Sequence, residues 1–478
     1  MIASEEAAPS VATAPPLPLA TSYGGLLFMN GNMAREEELV ERFAPFIAEP
    51  RHEDPAVRTS RKVLLVTAAF MKGHEHRDRH LIAMFERLRI DAGWKGRYPT
   101  NIQNLSIYSM FEEFKEREPW IYRRYTEKQD MLKALKDEYH DKTIASVQRL
   151  WALKGELEQD FPALGLFELV RAADWLSGSG ELGDRGTDTV CVDLERLSRS
   201  PAALHRTGEI GRLLDHLVYT DRSVFYAIEQ LESYFLSESG VRMSGVWQAQ
   251  RANLVDRLRT CATVFIFGGR VYVLANRLRF YDLAPAFAEA VRRGTNIFGI
   301  SAGTLVQTDR FSLAFAGLSA DADLVAADFG MGLVSGLRVL PHAEDFRFVR
   351  EAERDVLSFF ALRQPDAAAI GLSQRSVLMC ERYYTQGAGQ PATRYVSAGE
   401  EPVLVFGPRG RCFKLRCGDE LALPGAEFYK GAPATLTAEE AAEARQRPTC
   451  ETAVGSLWRA ENDATLRVDS ENSDSRNP

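Results

Sequence analysis

The chain has 478 residues, of which 45% are hydrophobic and 26% charged, with a formal net charge of −8. That length exceeds one typical domain, and the composition is that of a globular protein with a sizeable core. The acidic balance (pI near 5.7) leaves no cationic excess to neutralise phosphates, so no nucleic-acid partner is expected. No apolar run approaches the ~20 residues that span a bilayer, so no membrane association is expected either.

Residues 1–22 are rich in Ala and Pro, carry Glu5 and Glu6, and are interrupted by Pro15, Pro16 and Pro18. They read as a disordered arm without the basic start and unbroken apolar core of a secretory signal. Residues 23–105 hold two apolar strands, Leu26–Met29 and Val63–Thr67, separated by a helix with Leu39, Val40, Phe43 and Ile47 on one face. A second amphipathic helix follows, carrying Leu81, Met84, Phe85 and Leu88. Before it, His76 and His80 stand four apart in a run of alternating charge. That spacing suits zinc, but the run reads as a solvated helix start, and neither a metal nor any other cofactor is expected.

Between 106 and 258 the apolar residues recur at helical spacing: Leu132, Leu135 and Tyr139; Ile144, Val147 and Trp151; Ile210, Leu214 and Leu217; Phe225, Ile228 and Phe235. This predicts an all-helical subdomain inserted into the α/β chain. Its dense aromatics (Phe111, Phe114, Trp120, Tyr122, Tyr125, Tyr139, Trp151) read mainly as a bundle core. A lid over the site or a docking surface for a protein partner is the functional alternative.

The most informative stretch lies in 259–430. Thr263–Phe267 is a short strand ending in Gly268-Gly269, followed by a helix from Val271 to Phe280. Asn296–Ile300 is a second strand, running into Gly299-Ile300-Ser301-Ala302-Gly303 and then a helix starting at Thr304. Small residues on both sides of the serine permit a sharp strand-to-helix turn that lifts its hydroxyl out of the sheet. Two strand tips joined by one helix form a βαβ unit whose carboxyl ends meet, where ligands bind in open α/β sheets. Ser301 is therefore the candidate nucleophile, with the Gly269 and Ala302 N–H groups as candidate oxyanion donors. A third strand, Leu337–Pro341, ends in His342, the one histidine of eight with an apolar strand leading to it. His342 is the candidate base, expected in the same sheet as the serine turn.

Together these motifs resemble the dipeptidase E branch of the aspartyl dipeptidase and cyanophycinase family of serine peptidases. The likeness includes Leu283-Ala284-Pro285 through Arg292-Arg293-Gly294, Ile370-Gly371-Leu372, and Val405–Pro408 with Phe413–Leu415 as a closing hairpin. It implies a class I glutamine amidotransferase-like fold: a three-layer, doubly wound, mostly parallel sheet. It also implies a Ser–His–acid triad with the acid between serine and histidine, where Asp309, Asp321, Asp323 and Asp328 stand. Asp321 fits the family pattern best and Asp323 next. The family's substrates, short peptides with an N-terminal aspartate, need basic groups, which Arg270 and Arg350 supply. The run Arg347, Arg350 and Arg354 also reads as a solvated helix face. Three departures stand out: Arg270 occupies the place of the family's Asn, Ile300 that of its Trp, and the loop after the histidine, Ala343-Glu344-Asp345, is acidic.

Six scattered cysteines without a Cys-x-x-Cys pair suit a reducing cytoplasm, with Cys261 and Cys380 as small buried hydrophobes. Residues 431–478 read as an extension ending in a flexible tail. The expected function is a serine-dependent peptidase acting on a small peptide, as a monomer or a homodimer. The alternatives are a fold relative that binds without turnover, with Arg270 filling the pocket, and an acyl-transferring enzyme.

Overall fold

The structure is a computed structural model that describes residues 22–31, 42–70, 78–91, 93, 95, 100–176, 188–314, 325–343, 353–364, 367–384, 392–406 and 412–421. Its strands are β1 (Ser22–Tyr23), β2 (Leu27–Asn30), β3 (Val63–Val66), β4 (Ile102–Asn104), β5 (Thr263–Ile266), β6 (Asn296–Ile300), β7 (Arg310–Ala314), β8 (Val325–Phe329), β9 (Leu337–Pro341), β10 (Ala368–Leu372), β11 (Val377–Tyr384), β12 (Ala392–Ser397), β13 (Val403–Phe406), β14 (Cys412–Leu415) and β15 (Glu420–Leu421). The main sheet runs β15-β12-β11-β2-β6-β5-β3-β4, with β1 paired to the far end of β11. Its centre, β2-β6-β5-β3-β4, is parallel throughout.

Both faces of those parallel strands are buried, so they read as continuous apolar runs. Alternate residues serve opposite layers. Phe28, Phe265 and Phe298 stand in register on β2, β5 and β6, with Phe298 stacked on the other two rings at 4.3 and 4.5 Å. They face α1 (Ala44–Ala48) and α3 (Arg79–Arg87), whereas α2 (Pro55–Ser60) leads into β3. Leu27, Leu64, Val264 and Ile297 face the other way, toward α4 (Ile107–Arg117) and three helices from later in the chain. Helix, sheet and helix make the expected three layers.

The helical region comprises α4, α5 (Pro119–Asp160), α6 (Leu166–Leu176), α7 (Asp188–Ser198), α8 (Pro201–Glu238) and α9 (Gly245–Arg259). It leaves the sheet after β4 and returns before β5, on either side of β3. The two apolar repeats expected between 132 and 151 belong to one 42-residue helix, α5, about 63 Å long at 1.5 Å per residue. It packs antiparallel to the 38-residue α8, as the pairs Lys128–Glu232, Tyr139–Asp221 and Arg149–Glu209 show.

This hairpin is more than an appendage. Leu150, Leu153, Leu157, Ile210 and Leu214 share one core with Leu340, Ala369, Leu404 and Phe406 of a second sheet, ordered β14-β13-β10-β9. Here a sequence expectation is corrected: β9, which leads to His342, belongs to this second sheet and not to the sheet of the serine turn. Its neighbour β10 is parallel to it and β13 antiparallel to β10, so it completes its pairing away from β6. The expected hairpin of 403–415 forms, as β13 with β14.

Two buried ionic clusters fasten the hairpin to the α/β part. On α13 (Glu353–Arg363), Arg363 donates twice to Asp221 at 2.6 Å and once to the Tyr139 hydroxyl. On α10 (Val271–Phe280), Arg279 pairs with Glu232 of α8 and with Asp328 of β8, while Lys136 of α5 reaches Asp328 at 2.6 Å. A buried ion pair contributes little net stability, but removing one partner strands the other. Burial alone would push the Asp328 carboxyl up; Arg279 and Lys136 more than offset this and hold it at about 2.

An unfolded Asp titrates near 3.9, so the stabilisation from Asp328 is complete above about pH 4 and is lost as pH falls toward 2. Denaturant unfolding of the protein and of Asp328→Asn should therefore differ by about 2–3 kcal/mol at neutral pH, with the gap closing between about pH 4 and pH 2. A gap that does not change over that range would contradict the assignment.

Candidate active site

Ser301 follows β6 with φ 50° and ψ −108°, a positive-φ backbone that non-glycine residues rarely adopt. It caps α12 (Ala302–Leu305), a single turn that begins two residues earlier than its sequence suggests. The early start follows from the serine itself, whose carbonyl accepts from the Thr304 and Leu305 N–H groups at 2.9 and 3.1 Å. So short a helix adds little macrodipole; its free N–H groups matter more.

Three glycines make the turn possible. A Cβ on Gly303 would sit 2.0 Å from the Ile266 carbonyl oxygen, and one on Gly299 would sit 2.6 Å from that of Gly303. A Cβ on Gly268 would come within 3.2 Å of Ser301 Cβ and 3.8 Å of its Oγ, crowding the hydroxyl. The conformation is also held from below by polar groups that sequence reasoning missed. The Ser301 N–H donates to the Asn30 carbonyl at 3.1 Å. Buried Thr304 donates its hydroxyl to that same oxygen at 2.7 Å and accepts the Asn30 N–H at 2.9 Å. The Asn30 side chain donates to the Gly299 carbonyl at 2.7 Å. An Asn-Gly pair closing an apolar strand, Asn30-Gly31, was the available signal.

His342 follows β9 with φ 62°, again positive. Its Nε2 lies 2.8 Å from Ser301 Oγ, and the hydroxyl donates when that nitrogen carries no proton. Two sheets thus converge on one contact. The linkage is local: Met331 N–H donates to Val306 O, Val334 N–H to Gln307 O and Asp309 N–H to Val334 O, at 2.7–3.0 Å. These bonds tie the segment after the serine to the one that leads into β9.

The glycine turn lies alongside. Gly269 has φ 125°, where a Cβ would meet the Ala69 carbonyl oxygen at 2.7 Å, and the Arg270 N–H donates to that oxygen. Among the described residues, neither the Gly269 nor the Ala302 N–H donates to a backbone acceptor. Arg270 is exposed at the start of α10, so it is not a buried plug of the pocket.

Of the four candidate acids, two are committed elsewhere. Asp309 accepts from Arg338 at 2.9 Å, and Asp328 belongs to the Arg279–Lys136 cluster. Asp321 and Asp323 lie outside the described residues, as do His76, Arg347 and Arg350. Arg354 falls within α13. Cys261 and Cys380 are fully buried, and burial pushes both thiols up to about 12, which leaves them un-ionised near neutrality. Among the described residues no cluster of His, Cys, Asp and Glu could hold a metal ion.

Residues 226–382, which include both the serine turn and His342, match the model of Peptidase family S51. Over that third of the chain, the sequence is similar to a family of serine-type peptidases. Among solved structures, the chain is similar to the crystal structure of a peptidase from an acI-B1 Actinobacterium, with 12% identity and a TM-score of 0.38 over 84% of this chain and 99% of that one. No curated protein matches it.

The geometry makes Gly303 intolerant of any side chain. Gly303→Ala should separate α12 from β5, lower the melting temperature, and slow reaction of Ser301 with a fluorophosphonate by more than about tenfold. Unchanged labelling kinetics would mean that the turn is not under the constraint described.

Proposed function

We propose that this chain is a serine peptidase of the S51 type that cleaves short peptides by acyl transfer, with Ser301 as nucleophile and His342 as general base. One observation carries the reading: the 2.8 Å contact between Ser301 Oγ and His342 Nε2, made by a serine held in a positive-φ strand-to-helix turn. His342 takes the hydroxyl proton as Ser301 attacks the scissile carbonyl, and returns it to the leaving amine. The Gly269 and Ala302 N–H groups receive the oxyanion; each such donor contributes roughly 3 kcal/mol in the transition state. Water then releases the acyl group. Asp321, with Asp323 as the alternative, orients the far imidazole nitrogen and stabilises the imidazolium.

The substrate class we infer is a short peptide with an aspartate at the scissile bond, which makes the enzyme a dipeptidase. Arg270, exposed beside the glycine turn, and Arg350 are the residues we assign to the substrate carboxylate. The exposure of Arg270 favours catalysis over a binding protein whose pocket is filled. Among the described residues Cys191, Cys261 and Cys380 are free thiols, which supports a cytoplasmic setting.

Fluorophosphonate treatment followed by peptide mapping should place a single adduct on Ser301. It should be absent in Ser301→Ala and slowed roughly a thousandfold or more in His342→Ala. No adduct on folded protein would remove the peptidase reading. On dipeptides, Arg270→Ala should raise KM for an N-terminal aspartate by about 10–100-fold, the worth of one charge-assisted hydrogen bond, and affect the asparagine analogue far less. Equal effects on both would remove Arg270 from carboxylate recognition.

A further inference from the structure

The outer face of α8 carries a pattern that the peptidase site does not use. Tyr219, Tyr226 and Tyr234 are 72, 64 and 62% exposed. At about 100° per residue they fall within one arc of about 80°, on the side opposite the buried line of Leu217, Val224, Ile228 and Phe235. Arg222 and Glu229, also exposed, stand between them. Neither has an ion-pair partner among the described residues. Tyrosine and arginine are the residues most enriched in protein interfaces, and three large rings left in water on one helix face form an apolar stripe.

The order along this face selects the occupant. It reads aromatic, positive, aromatic, negative, aromatic. Paired with a parallel copy of itself, the face would set Arg222 against Arg222 and Glu229 against Glu229. Reversed about its centre, it becomes its own complement. We propose that this face binds a second copy of the chain, the two α8 helices packing antiparallel about a two-fold axis at Tyr226. Tyr226 then meets its own copy, Tyr219 meets Tyr234 of the partner subunit, and Arg222 meets Glu229 of the partner subunit. The last two contacts each occur twice, as an isologous interface requires. Exposed Ser223, Ser233 and Ser237 are small enough to let the helices approach to the usual 8–10 Å.

Light scattering and sedimentation velocity on the full chain, over about 1–100 μM, test this directly. The expected mass is about twice the 53.4 kDa of one chain. Arg222→Glu and Glu229→Arg should each weaken dimerisation at least about tenfold, and the double reversal R222E/E229R should bring the dissociation constant back to within about threefold of the starting value. Tyr226→Glu, which sets two like charges on the axis, should give a monomer with an unchanged melting temperature. A monomer at every concentration would overturn the proposal and leave the face to a different protein. A dimer indifferent to all four variants would overturn it too, because the copies would then meet elsewhere.

Discussion

The structure depends on one serine held in a backbone conformation that it would not choose. A positive-φ non-glycine residue costs on the order of 1–3 kcal/mol, and it persists only where its surroundings over-determine it. Here they do. Gly299 and Gly303 clear the space, and Gly268 keeps the hydroxyl uncrowded. From beneath, Asn30 and Thr304 bind the turn through buried hydrogen bonds to four backbone groups. Relaxing the turn would strand those groups without water, at a cost comparable to the strain itself. The hydroxyl therefore stays where His342 reaches it.

That contact joins two sheets that share no strand pairing, so something else must fix their separation. Close to the site, the backbone bonds between Val306–Asp309 and Met331–Val334 do so. Farther out, the helical hairpin supplies the framework. One part of it packs with α4, α9 and α10 against the main sheet, and the other shares a core with β9, β10 and β13. The buried clusters around Arg279 and Arg363 sit at these junctions. Their charges gain little net energy from one another, but removing either partner would leave the other buried without its pair. The aromatics that suggested a bundle core divide along the same lines. Phe111, Phe114, Tyr125 and Tyr139 are buried, whereas Trp120 is exposed beneath the Arg124 guanidinium.

Much of this was legible in the sequence because the physics is local. Continuous apolar runs made Thr263–Ile266 and Asn296–Ile300 readable as buried strands, and the paired glycines at the first tip and the serine turn at the second marked where backbone meets ligand. The bounds of α10 were set by Arg270 and Phe280, where the apolar period starts and stops. What could not be read is what depends on partners far away in the chain. The split into two sheets follows from β9 choosing β10 over β6. The diversion of Asp309 and Asp328 into ion pairs follows from Arg338, Arg279 and Lys136, the last of these 192 residues from its carboxylate. Asn30 showed only as the end of a strand, because its role is set by Thr304, 274 positions on.

The most direct test of the central claim is a crystal structure of the protein after reaction with a fluorophosphonate. Phosphorus should sit on Ser301 Oγ, with one phosphonyl oxygen held by the Gly269 and Ala302 N–H groups and His342 Nε2 beside the leaving-group position. An adduct on any other side chain, or one on Ser301 whose oxygen turns away from both amides, would contradict it.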